Sequence, residues 1–246
     1  MEEEKYYLEK IQKAFQELVT KNDLIEKEVT ITCSVLSAQE AIGNPGRKDF
    51  PIQKGKEKLM QACFGDSLGQ AFTDMPNVYR GKVKELAAMP LQTNSDRAIF
   101  ISVINAVLRD LKIVNHTIHC KDDGPQKCSL ELAAKIKKEY GTPLIALFGL
   151  QPAIVESLSD KFPLRVFDLD EDNIGKVKHG ILIENGICDM EEIEEWADIF
   201  LVTGSTICNG SIVNFLKIKK PVIYFGTTIA GAAQLLGLNR FCPKSS

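Results

Sequence analysis

Residues 198–210 read DIFLVTGSTICNG and residues 221–231 read PVIYFGTTIAG. Each is a short apolar run that breaks into a loop of glycine and hydroxyl residues before a helical pattern resumes. Runs apolar on both faces suit strands of a parallel sheet covered by helices above and below. The same rhythm extends upstream through LIALFGL (144–150), PAIVESLSDKF (152–162), LRVFDLD (164–170) and MEEIEEWA (190–197). Strands alternating with helices in this order predict a doubly wound α/β domain with a mainly parallel sheet.

The first half has a different texture. Leu8, Ile11, Phe15 and Leu18 recur at intervals of three and four within residues 2–20, one apolar stripe on a helix. Val29, Ile31, Cys33 and Val35 alternate with Thr30, Thr32 and Ser34, which predicts a strand with one buried face. Residues 41–57 (AIGNPGRKDFPIQKGKE) are too long and too rich in Gly, Pro and charge for a plain connection, and loops of this kind are usually functional. Residues 96–112 are apolar almost all round behind Ser95 as the expected N-cap, so this helix should be buried. From His116 to Cys128 (HTIHCKDDGPQKC) no periodicity survives, and a domain junction near residue 120 follows, giving domains 1–120 and 121–246.

Composition narrows the function classes. The chain has 246 residues, with 30 Lys and Arg against 33 Asp and Glu, and neither half is a polycation, so binding to nucleic acid or to an anionic membrane surface is not expected. No apolar stretch approaches the ~20 residues of a membrane helix. Seven cysteines, an odd number, behind an acidic start (MEEEKYYLEK) point to a cytosolic protein with reduced thiols.

Ligands of open α/β sheets bind beyond the carboxyl ends of strands, so the residues after each apolar run are the candidates. Gly149 follows the first run and Asp168 ends the second, where an acidic residue can accept from a ribose hydroxyl. The G-x-G-x-x-G fingerprint of dinucleotide sites is absent. Gly204, Ser205, Thr206 and Asn209 form a loop suited to an anionic group, with Asn209 capping a helix through Leu216. Gly226, Thr227 and Thr228 repeat the arrangement, so two loops could line one cleft. The metal candidates are His119, Cys120 and Cys128, donors suited to zinc or a softer ion, within His116-x-x-His119-Cys120 and its continuation. The run DLDEDN fails as a calcium loop, because Asn173 and His179 stand where Gly and Glu are needed. No G-x-S-x-G elbow supports a serine hydrolase.

The blocks AIGNPGRKDFPIQKGKE, GQAFTDMP (69–76), INAVLRDL (104–111), HCKDDGPQKC (119–128) and DIFLVTGSTICNGSI with PVIYFGTTIAGAAQLLGLNRFCP (221–243) together resemble the heavy-metal chelation family, long carried as a domain of unknown function. The resemblance implies an enolase-like α+β N-terminal domain, a Rossmann-like C-terminal domain and a site in the cleft between them. To that cleft it brings Gly204, Ser205, Thr206 and Asn209 from one side and Lys54, Glu57, Gln70, Thr73 and Asp74 from the other. The expected function is a cytosolic protein that binds a small anionic ligand or metal complex in the interdomain cleft, inserting, removing or carrying a transition metal. The alternative is an enzyme using an adenosine-containing cofactor, such as a methyl donor, at Gly149 and Asp168. A noncatalytic assembly or sensor protein, including a homo-oligomer, is a third reading.

Overall fold

A computed structural model describes residues 2–31, 36–54 and 57–246, so Cys33 of the expected strand lies outside the described residues. The first half contains α1 (Glu2–Lys21), β1 (Glu28–Ile31), α2 (Ala38–Ile42), β2 (Lys58–Phe64), β3 (Ser67–Thr73), β4 (Tyr79–Lys82), α3 (Val83–Ala87) and α4 (Asn94–Asp110). Its strands form an antiparallel sheet in the order β3-β2-β1-β4. Leu8, Ile11 and Phe15 of α1 are buried as the stripe predicts, and Phe15 meets Phe100 of α4 edge to face at 5.6 Å.

Helix α4 is the keystone of the molecule. Every residue from Arg97 to Leu108 is buried, because both sides of the helix are covered. One side lies against β2 and β3. Gly69 permits this approach, since a Cβ there would sit 2.2 Å from the Ala106 amide nitrogen. The other side meets elements of the second half, and a single apolar cluster runs from Met60 and Ala71 through α4 to Phe200 and Tyr224. The cap differs from the expected Ser95. Thr93 accepts from the Asp96 amide (3.1 Å) and Asp96 accepts from the Thr93 amide (2.9 Å), a reciprocal box that needs an acceptor three residues past the cap.

The second half contains α5 (Gly124–Tyr140), β5 (Ile145–Phe148), α6 (Pro152–Ser159), β6 (Leu164–Asp168), β7 (Val177–Lys178), β8 (Ile181–Asn185), α7 (Met190–Trp196), β9 (Ile199–Thr203), α8 (Thr206–Asn209), β10 (Val222–Phe225), α9 (Ala230–Leu236) and β11 (Arg240–Phe241). The sheet order is β11-β10-β9-β5-β6-β8-β7, parallel except for the β7–β8 pair. The fold class is thus the expected α/β one, with a parallel-dominated sheet between helices. Ile145 and Leu147 face one apolar cluster with α5 and α6, while Ala146 and Phe148 face the cluster that contains α4. Burial on both sides is why these strands read as unbroken apolar runs.

Strand order reverses between β5 and β9. The chain leaves β5 toward β6 and β8, then returns to β9 and continues the other way to β10 and β11. Such a switch point opens a crevice beyond the carboxyl ends of the two central strands. Among the described residues no helix is long and apolar enough to cross a membrane.

Candidate functional site

A cavity of about 600 Å³ occupies that crevice. The parallel sheet contributes the residues after β5, β6, β9 and β10, the antiparallel half contributes Glu57, Thr73 and Asp74, and the segment joining the halves contributes His119 and Cys120. Two of the sequence blocks are locked together at its edge, since the Phe72 amide donates to Thr228 Oγ1 at 3.1 Å.

The loops are built tightly. Gly149 has φ +92°, and a Cβ there would lie 2.4 Å from Thr203 Cγ2, so the exits of the two central strands touch where only glycine fits. Asp168 holds the neighbouring exit. Its Oδ2 accepts from the Leu150 amide and its Oδ1 from the Asp170 amide, both at 2.7 Å. After Thr203 the chain makes only the single turn of α8, and then a 3₁₀ turn at Ser211–Asn214 replaces the helix expected through Leu216. Gly210, in the left-handed region, separates the two. Asn209 does serve the second turn, its Oδ1 accepting from the Ser211 amide at 3.0 Å. The Thr206 hydroxyl donates back to the Thr203 carbonyl at 2.8 Å, and the Ser205 and Thr203 hydroxyls pair at 3.1 Å. Much of this loop's polarity is therefore spent on itself.

Glu57, Asp74, Asp168 and Asp170 all line the cavity, and no Lys or Arg does so among the described residues. Burial, with Asp168, Asp170 and Asp74 nearby, pushes the Glu57 carboxyl up to about 7. Asp74 is oriented by Asn94, whose Nδ2 donates to both carboxylate oxygens at 2.9 and 3.1 Å. Asn94 in turn accepts from Arg97 at 2.6 Å. Other sequence candidates stand off the wall. Lys54 is exposed at the end of a short 3₁₀ turn. Gln70 is buried behind the wall, where its Oε1 accepts from the His119 amide at 2.7 Å. Thr227 is buried and Thr228 takes the lining position.

The wall also carries soft donors. His119 packs edge to face on Phe72 at 5.2 Å, its ring buried beside the backbone of Cys120 and Ala41. Burial holds its pKa down to about 4, which leaves the neutral imidazole that metals bind. Cys120 and Cys128 are on the wall, and so is Cys242 from the far end of the chain. Burial first, and the neighbouring thiols second, push Cys120 and Cys128 up to about 12. Among the described residues no three His, Cys, Asp or Glu side chains are already gathered as a metal site. The donor types nonetheless suit a soft or borderline ion. Cys63 and Cys188 are not on this wall, whereas Cys208 is.

The segment 134–236 matches the model of a family described as "Putative heavy-metal chelation" (DUF364). No curated protein is significantly similar in sequence. A solved DUF364 protein of unknown function from Pyrococcus horikoshii matches with a TM-score of 0.53 at 15% identity, over 90% of this chain and 79% of its own. A second, from Desulfitobacterium hafniense DCB-2, matches at 0.50 and 11% identity, over 74% of this chain and 72% of its own. At these identities the likeness speaks to fold. Residues 134–236 are thus similar to the DUF364 family and the fold to solved proteins of that family, in line with the resemblance of the sequence blocks.

Proposed function

We propose that the cavity is an interdomain site for a metal ion or small metal complex, and that the protein handles a transition metal in the cytosol. The carrying observation is the composition of one wall: Glu57, Asp74, Asp168 and Asp170 together with His119 and thiols, and no lining Lys or Arg among the described residues. A free anion would meet four carboxylates without a lining cation among the described residues, so a metal-bearing ligand fits best. His119 offers a neutral nitrogen, Glu57 can release a proton near neutral pH, and Cys120 and Cys128 would lose their protons as a metal binds. The description of the matched family, heavy-metal chelation, supports the same reading.

The test is metal retention. The reduced full chain is incubated anaerobically with Zn²⁺ or Cd²⁺, desalted and assayed for metal beside a Cys120→Ser/Cys128→Ser variant. Retention that falls in the variant supports the reading. Equal, near-zero metal in both overturns it.

The adenosine-cofactor reading retains one favourable observation, that Asp168 ends the strand next to β5. A thermal-shift comparison with nucleotides and S-adenosylmethionine decides it, because a ligand at 100 times its Kd adds about 2.7 kcal/mol of stability. No shift with any of them removes it.

A further inference from the structure

We propose that the cavity takes an organic ammonium ion, a primary amine carried on an apolar body, with its charged group among Glu57, Asp74 and Asp168. This guest goes beyond the metal reading, since its partners are carboxylates and apolar side chains and neither His119 nor a thiol takes part.

Size and lining call for an organic body. A volume of about 600 Å³ lies well inside the range of about 300–1,000 Å³ typical of small-molecule sites, and a bare ion would leave nearly all of it unfilled. Phe148 stacks on Phe167 at 4.6 Å and meets Phe215 edge on at 4.8 Å, and all three line the cavity beside Leu150 and Ile154. A guest that lays hydrocarbon or an aromatic ring against these side chains takes apolar surface out of water on both sides of the contact.

The carboxylates select the sign of the guest's charge. The Glu57 carboxyl is buried on the wall, its electrostatic neighbours are Asp168, Asp170 and Asp74, and among the described residues no hydrogen bond or ion pair serves it. Asp74 and Asp168 are held by neutral donors, the Asn94 amide group at 2.9 and 3.1 Å and the Leu150 and Asp170 backbone amides at 2.7 Å. None of these bonds brings a positive charge to the wall, and no lining Lys or Arg does so among the described residues. Carboxylates taken out of water are costly unless a cation meets them. An ammonium group supplies that cation with three N–H donors to share among their oxygens, whereas a carboxylate or phosphate guest is repelled by the same groups. A neutral guest would leave Glu57 as it stands.

The experiment holds the reduced full chain in EDTA, so that no metal takes part, and follows thermal unfolding against three pairs of probes: tryptamine and indole-3-propionate, phenethylamine and 3-phenylpropionate, hexylamine and heptanoate. The members of a pair share a body and differ in the sign of their charge. At least one amine should raise the Tm saturably while its acid does not, and Glu57→Gln should weaken that amine about tenfold or more, as the loss of one charge-assisted partner implies. Glu139→Gln, an exposed position on α5, should leave the affinity unchanged. No saturable shift with any amine overturns the proposal, and so does an acid that binds as well as its amine or full affinity in Glu57→Gln. Should Glu57→Gln fail to fold, Asp74→Asn supplies the same comparison with the same expected loss. Metal retention is tested at Cys120 and Cys128, so either result can fail while the other stands.

Discussion

Asn105 Oδ1 accepts a 2.7 Å hydrogen bond from the Gly231 amide, joining the middle of α4 to the start of α9. The same side chain donates through Nδ2 to the carbonyls of Gln70 (2.9 Å), Thr228 (3.0 Å) and Thr227 (3.3 Å). One fully buried amide thus ties the antiparallel sheet to a cavity loop of the parallel one. Gly231 is part of the design, because a Cβ there would lie 2.4 Å from Ile104 Cγ2.

Replacing Asn105 should be expensive. Asn105→Ala leaves several buried backbone groups unpaired at about 1–3 kcal/mol each, so a loss of about 2–4 kcal/mol is expected after partial relaxation. Urea denaturation measures it. A loss below about 0.5 kcal/mol would mean that water or a shifted loop replaces the amide without difficulty.

The contact between strand exits can be probed by a paired substitution. Gly149→Ala combines a backbone strain of about 1–3 kcal/mol at positive φ with overpacking of similar size against Thr203. Thr203→Ser removes the offending Cγ2 and keeps the hydroxyl. In a double-mutant cycle the pair should recover about 1 kcal/mol or more relative to additivity. Strict additivity would show that Thr203 is not what Gly149 must avoid.

Two cavity groups give stability opposite dependences on pH. Glu57 titrates near 7 in the folded chain against an ordinary 4.5, so its contribution is fully present below pH 4.5 and is lost as the pH rises through 7. His119, lowered to about 4 from 6.5, contributes above pH 6.5 and loses that contribution as the pH falls through 4. Glu57→Gln should therefore flatten the decline in urea midpoint between about pH 5 and 8, and His119→Gln should soften the loss on the acid side. A Glu57→Gln curve parallel to the wild type would place that carboxyl in ordinary solvent.

The parts of this molecule legible in its sequence are those with local causes. Strand runs such as Ile199–Thr203 are apolar because both faces are covered, and Asp189 caps α7 because its side chain reaches the Glu191 and Glu192 amides. The sequence also placed Gly149, Asp168 and the TGST loop at strand ends, and those residues line one cavity. What escaped is long-range. Nothing near Cys242 announces that the C-terminal segment pairs with Ile118 and comes to rest over α5. The choice between Thr227 and Thr228 depends on a one-residue register set by the Asn105 and Phe72 contacts. Lys54 came to the cleft only through the family resemblance, and the turn at Pro51–Lys54 leaves it exposed and off the cavity wall.

Helix α4, buried between the two sheets from Arg97 to Leu108, would also govern how a guest of the proposed site could come and go. Swinging the halves apart would strip one flank of the helix of its apolar partners and break the Asn105 bonds together, a cooperative cost closer to unfolding than to a hinge motion. Exchange of such a guest would then fall to side chains and loops at the rim of a standing chamber, and its rate should follow substitutions at that rim far more than substitutions between the sheets.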